Sequence, residues 1–424
     1  MTTEPLLALR PARQRGQATG ITSVCSAHPQ VIAAALAFGR AREKPVLIEA
    51  TCNQVNQDGG YTGMRPADFR RFVEAIATQE GFDPANLILG GDHLGPNPWQ
   101  DLPAERAMAK ACTMIAADAA AGFKKLHLDA SMSCADDPTP LPDATIAARS
   151  ARLAAVAEAN ATGEPPVYVI GTEVPVPGGA LEMVGHLSVT SPQAARATVA
   201  VHELEFARHG IAAAFARVIG LVVQPGVEFG NENVVAYRPD AATALVAALD
   251  TMPLIYEAHS TDYQTTEALT ALVRDGFAIL KVGPGLTFAL RESLYGLDHI
   301  ASALFPDRPA SLRATMERLM LDRPGHWAKY YPGSAAHQHL QRHFSYSDRI
   351  RYYWTDPLAT RAVEDLLSLL GDRTLPGPLI SQYLAALFPA VMSGASPPKA
   401  QPLIRAAITR VLTSYDTACT HVIS

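Results

Sequence analysis

Two adjacent residues, Asp92 and His93, stand at the end of the apolar run 87–89 and the pair Gly90-Gly91. A carboxylate beside an imidazole at the end of a buried strand suits a metal ligand next to a proton-transfer group. The pattern recurs along the chain. Apolar runs are followed by Ser26 and His28, by Glu49, Asn53 and Gln54, by Asp129 and Ser131, by Glu173, by Gln224 and Glu228, and by Glu257, His259 and Asp262. The last run carries Lys281 and leads into Gly283-Pro284-Gly285 and Thr287. His93 and His259 each sit just past a run with carboxylates nearby, so they are read as metal ligands, with Glu228 completing a three-ligand site that leaves a position open for a substrate oxygen. The expected ion is a divalent metal. Asp92, adjacent to a ligand, is assigned proton transfer, and Glu173 is read as a ligand or an acid/base group. His127 shares the face of Asp129 by the period of two but lies within its run, and is left as a structural residue. Lys281 could form a Schiff base with a ketose, but beside a metal constellation it is assigned to substrate contact, with a structural ion pair as the alternative. The glycine turn after it, with Thr287, offers backbone N–H groups for a phosphate.

These residues need elements to hold them. Eight short, near-continuous apolar runs (20–25, 45–50, 86–91, 125–129, 167–172, 218–223, 254–258 and 277–282) have the composition of strands buried on both faces. Between them lie alanine-rich stretches of helical character at 30–42, 66–80, 104–121, 143–160, 191–209, 239–250 and 265–275. The stretch from Pro66 opens with proline and an acidic first turn, a helix start. Eight such repeats predict an α/β fold, a (β/α)8 TIM barrel over residues 1–300, with polar residues at the strand ends forming the site. A doubly wound open sheet is the alternative, but no GxGxxG follows the first run. Beyond residue 300 the strand pattern stops, and 301–424 is expected to be a helical extension packed on the barrel. The aromatic and basic stretch from Ser347 to Trp354 is read first as a docking face or oligomer contact, with a substrate contact as the alternative.

Composition narrows the function class. The 424 residues are 48% hydrophobic with a formal charge of −6 and no basic block, which speaks against nucleic acid or an anionic membrane as partner. Five cysteines without CxxC spacing argue against a disulfide framework. There is neither an N-terminal apolar core for a signal peptide nor an apolar stretch of membrane-spanning length, so a cytoplasmic protein is expected.

Several segments resemble one family closely. They include Ser23-Val24-Cys25-Ser26-Ala27-His28-Pro29, Asn53-Gln54-Val55-Asn56-Gln57 and Gly90-Gly91-Asp92-His93-Leu94-Gly95-Pro96-Asn97. Others are His127-Leu128-Asp129-Ala130-Ser131, Gln224-Pro225-Gly226-Val227-Glu228 and Tyr256-Glu257-Ala258-His259-Ser260-Thr261-Asp262-Tyr263. The chain resembles the D-tagatose-1,6-bisphosphate aldolase accessory subunits of the KbaZ/GatZ type over nearly its whole length. The resemblance implies a barrel of the class II aldolase type, a ketohexose phosphate substrate, and zinc held by histidines with an Asp beside the first ligand, a pair that Asp92-His93 resembles. The next histidine of those aldolases is replaced here near 224–228, which argues against a complete bisphosphate aldolase. Two roles follow from the resemblance: a non-catalytic subunit with a separate aldolase chain as partner, or a 4-epimerase acting on D-tagatose 6-phosphate and D-fructose 6-phosphate. A kinase label would need a phosphate-binding glycine loop, which is absent. The epimerase is the expectation, with Asp92 and either Glu173 or Asp129 as its acid/base groups. Glu49, Asn53, Gln54, Ser131, Gln224, Lys281, Gly283 and Thr287 are expected around the substrate, in a homo-oligomer.

Overall fold

The computed structural model describes residues 2–171, 187–308 and 310–420. Its ten strands are β1 (Ile21–Cys25), β2 (Val46–Thr51), β3 (Leu87–Leu94), β4 (Lys125–Leu128), β5 (Val167–Ile170), β6 (Val218–Val222), β7 (Glu228–Phe229), β8 (Val234–Val235), β9 (Ile255–Ala258) and β10 (Phe277–Val282). Eight of them close into a barrel in the order β1-β10-β9-β6-β5-β4-β3-β2, every pair parallel. These are the eight apolar runs, and the predicted helical stretches lie between them. β7 and β8 form a separate antiparallel hairpin after β6, too short to leave a periodic signal.

Inside the barrel, the period of two sorts side chains into layers. The lowest layer is apolar and includes Ile21, Leu47, Ile88, Val167, Ile255 and Ile279. Leu6 and Leu9, from short helices at Glu4–Leu7 and Leu9–Gln14, join it and plug that end. Two residues further along the strands the layer is ionic. The Lys125 ammonium lies 2.6 Å from Glu49 and 2.8 Å from Glu257, and Lys281 bridges Glu49 and Asp92. Gly90 makes room for this layer: a Cβ there would lie 2.8 Å from the Glu49 carboxylate and 3.1 Å from the Lys125 carbonyl.

Lys125, Glu49 and Glu257 have no exposed side-chain surface. Removing one partner of such a buried group leaves the others uncompensated, a loss of about 3–5 kcal/mol. Lys125→Met is therefore expected to lower unfolding free energy by about that amount in denaturant titration. An unchanged midpoint would show that the layer is indifferent to its central cation.

The C-terminal part closes over the barrel. The helix Pro284–Leu304 runs unbroken through residue 300, and the last helix, Ala400–Cys419, packs on it, on helices Pro29–Ala41 and Thr266–Arg274, and on β1. Its Cys419 carbonyl accepts from the Gly20 N–H at 3.0 Å, and Asp416 pairs with Arg42 and Lys44. The stretch from Ser347 to Trp354, expected as a docking face, instead turns toward the barrel mouth. Tyr263 donates to the Tyr346 carbonyl at 2.6 Å, Ser347 to Asn231 at 2.9 Å, and Thr287 to Asp348 at 2.6 Å. Aromatic and basic residues suit a cleft wall as well as a docking face, and only these tertiary bonds decide between them.

Candidate active site

A cleft of about 460 Å³ opens at the C-terminal ends of the strands. At its floor, the rings of His93, His127 and His259 meet edge to face, with centroids 4.9, 4.9 and 5.0 Å apart. One potential ligand atom from each of these histidines and from Asp92 lies within 4.8 Å of all the others. The strand period brings His127 and His259 inward, two residues past Lys125 and Glu257. His93 breaks that period. The register of β3 against β4 shifts between Gly91 and Leu94, and His93 adopts φ 47°. This left-handed kink, of a kind that costs about 1–3 kcal/mol, lets successive residues Asp92 and His93 both face the centre.

Each imidazole is anchored through the nitrogen that points away from the centre. Asp129 holds His93 Nδ1 at 2.8 Å, the Gly171 carbonyl holds His127 Nε2 at 3.0 Å, and Glu257 holds His259 Nε2 at 2.8 Å. This fixes the ring orientations around the shared centre, where His127 Nδ1 also accepts from the His93 N–H at 3.2 Å and would have to give up that contact to bind a metal. Burial lowers the pKa of His127, favouring the neutral ring that a ligand needs. The donor set therefore fits a divalent ion in a three-histidine site with carboxylate oxygens close by.

Asp92 is the hub of the site. It lies 3.0 Å from His127 Nδ1, 2.7 Å from Lys281 Nζ and 3.8 Å from His93 Nε2. Burial alone would raise its pKa, but His93, Lys281 and His127 outweigh it and hold the carboxyl well below the usual range. Burial would likewise lower the pKa of Lys281, yet Asp92 and Glu49 push it well above that of an ordinary lysine. An ammonium so stabilised is a poor amine nucleophile, which argues against the Schiff base.

The expected site residues are placed as follows. Asp92, His93 and His259 come together, joined by His127, which was read as structural because a histidine within a run carries no signal of its own. Glu228 belongs to none of the ligand-spaced groups among the described residues; it opens the separate β7–β8 hairpin, where its carboxylate accepts from the Phe229 N–H at 2.9 Å. Asp129 is engaged with His93 and with Ser131, which donates to it at 2.6 Å. Gln224 folds its own turn by accepting from the Gly226 and Val227 N–H groups, and Glu49 sits in the ionic layer beneath the cleft. Asn53, Gln54, Lys281, Gly283 and Thr287 line the cleft. The N–H groups of Gly283 and Gly285 both donate to Asp262, at 3.0 and 2.7 Å, and Thr287 donates to Asp348. Glu173 lies outside the described residues. Cleft residues that sequence reasoning missed include His326, Tyr330, Arg349, Arg351 and Tyr352. Arg349, Arg351 and Tyr352 lie in the aromatic and basic stretch already noted from Ser347, whereas His326 and Tyr330 carry no local signal.

Another group with ligand spacing, Glu317, His339 and His343, carries a different chemistry. Arg342 already forms a two-pronged pair with Glu317, so the cation there is a guanidinium.

Fold and site together define a (β/α)8 barrel with a three-histidine, one-aspartate centre at its catalytic end. Residues 6–420 match the family described as D-tagatose-1,6-bisphosphate aldolase subunit GatZ/KbaZ-like, and the chain belongs to that family. It is 56% identical over 417 residues, 97% of either chain, to a protein of Agrobacterium fabrum (strain C58) named D-tagatose 6-phosphate 4-epimerase. Among solved structures it is similar to a probable tagatose 6 phosphate kinase from Sinorhizobium meliloti 1021, at 59% identity and a TM-score of 0.89, covering 94% of this chain and 100% of that one. No helix among the described residues is long and apolar enough to cross a membrane.

Proposed function

We propose that this protein is a metal-dependent ketohexose-phosphate 4-epimerase that interconverts D-tagatose 6-phosphate and D-fructose 6-phosphate. The observation that carries the proposal is the set of three anchored imidazoles around the ionised Asp92, in a chain 56% identical to a protein named for that reaction. C4 of the substrate is not adjacent to the C2 carbonyl, so its configuration cannot be inverted by removing a proton from it. Breaking the C3–C4 bond can do so. A divalent ion, zinc in the first instance, held by His93, His127 and His259 would supply Lewis-acid polarisation of the C2 carbonyl.

The chain's own groups account for the proton movements. Asp92 accepts the O4 proton as the C3–C4 bond breaks, and its electron pair passes to the C2 carbonyl to give an enediolate and an aldehyde. Lys281, 2.7 Å from Asp92, keeps that carboxylate ionised and aimed into the cleft. The aldehyde turns about C4–C5 and presents its other face, the C3–C4 bond forms again, and O4 regains a proton. The aldehyde's new orientation calls for a proton donor on the opposite side, the role expected from the sequence for Glu173 or Asp129.

The family description also names an aldolase subunit, which favours a second reading as a non-catalytic partner of an aldolase chain. Buried charges are costly to keep without a use, and this ionic centre opens onto a cleft, which supports the enzyme. The deciding experiment gives purified, metal-quantified protein D-tagatose 6-phosphate and follows it by carbon NMR. Appearance of D-fructose 6-phosphate, abolished by chelation and restored by metal, is expected. No turnover with a full equivalent of metal would favour the subunit.

A further inference from the structure

In (β/α)8 barrels a phosphate is frequently bound by backbone N–H groups of the turns after the last two strands. Here that place is taken. The Asp262 side chain accepts from the N–H groups of both Gly283 and Gly285 through one oxygen, and the nearby Thr287 hydroxyl is committed to Asp348. Burial raises the Asp262 pKa to about 6, so at neutral pH the group filling the turn is a carboxylate. A phosphate beside it would meet like charge, with the two glycine N–H groups and the Thr287 hydroxyl already engaged.

Two guanidinium groups line the same cleft from the C-terminal segment. Arg349, buried, donates through Nε to the His326 carbonyl and lies 3.4 Å above the Tyr330 ring. Arg351 donates to the carbonyls of Ser347 and Asp348 and to the Tyr352 hydroxyl, and Tyr352 lies beneath both guanidinium groups. Among the described residues neither arginine is ion-paired with a carboxylate side chain. Lys281, by contrast, is neutralised by Glu49 and Asp92. Partly desolvated cations that hold only carbonyls and a phenol retain N–H groups and charge for an anionic ligand.

We propose that Arg349 and Arg351 hold the phosphate monoester of the substrate, and that Asp262 closes the strand-end turn to a second phosphate. This rests on the sugar-phosphate reading of the cleft and adds the location of its anion site. It also makes the site selective for a ketose with one phosphate over a bisphosphate. The segment from Ser347 to Trp354 then belongs to the binding site, because the barrel's own turn no longer serves.

The test uses metal-loaded full-length protein and phosphorus NMR titrations with D-fructose 6-phosphate and D-fructose 1,6-bisphosphate, alongside kcat and KM for D-tagatose 6-phosphate. Arg351→Ala and Arg349→Lys, each checked for an unchanged melting temperature, are expected to weaken binding of the monophosphate roughly 10- to 100-fold. The rise should fall mainly on KM. Asp262→Asn is expected to strengthen bisphosphate binding about 10-fold or more relative to the monophosphate. Monophosphate affinity unchanged in both arginine variants would overturn the arginine site, and no relative gain in Asp262→Asn would overturn the closed turn. The two readings separate cleanly. Arginine-dependent binding without turnover removes the epimerase and supports the anion site, while turnover with unaltered KM in the arginine variants removes the anion site alone.

Discussion

His127→Ala is expected to purify with far less than one equivalent of divalent metal and with D-tagatose 6-phosphate turnover at background. The reason is geometric. His127 is one of three rings whose centroids are 4.9–5.0 Å apart, and its Nε2 is already held by the Gly171 carbonyl, so Nδ1 is directed at the shared centre. Altering a residue that only orients a ligand commonly costs about 10- to 100-fold in metal affinity, and removing a ligand costs more. Glu228→Gln is the informative companion. Its carboxylate lies outside the cluster and serves the Phe229 N–H, so metal content should be unchanged. Metal analysis of the two purified variants decides the point. Full occupancy in His127→Ala, or loss of metal in Glu228→Gln, would return the third ligand to Glu228.

The second large effect is expected at Asp92. Asp92→Asn should keep its metal, because three imidazoles remain, and lose about 10²–10⁴-fold in kcat, the usual contribution of a positioned acid/base group. The amide retains the size of the carboxylate but cannot take the O4 proton. The substitution also leaves Lys281 with Glu49 as its remaining carboxylate partner, so a modest loss of stability should accompany it. Single-turnover kinetics with metal-loaded protein separate the two effects. A variant with normal metal and melting temperature but slowed bond cleavage supports proton transfer, and near-normal kcat would remove Asp92 from that role.

The sequence carried most of the scaffold. Strands buried on both faces read as continuous apolar runs, and eight of them separated by helix-forming stretches admit few arrangements other than the barrel. Strand-end position also singled out Asp92, His93 and His259, because polar residues just beyond a buried strand are conspicuous. The same logic passed over His127. Its period of two with Lys125 and Asp129 put all three on the inner face, but period says nothing about which other strands face that point across the barrel.

What the tertiary structure alone decided is convergence. The register shift and left-handed kink at His93 bring a residue of the wrong parity to the centre, and Glu228 belongs to a separate hairpin and to none of the ligand-spaced groups among the described residues. The bonds from Tyr263, Thr287 and Asn231 draw Arg349 and Arg351 to the barrel mouth from more than 50 residues along the chain. The sequence by itself determined which residues could do chemistry and which elements would carry them, because both follow from local pattern. Which of them act together depends on distances between parts of the chain remote in sequence, and those exist only once the barrel has closed.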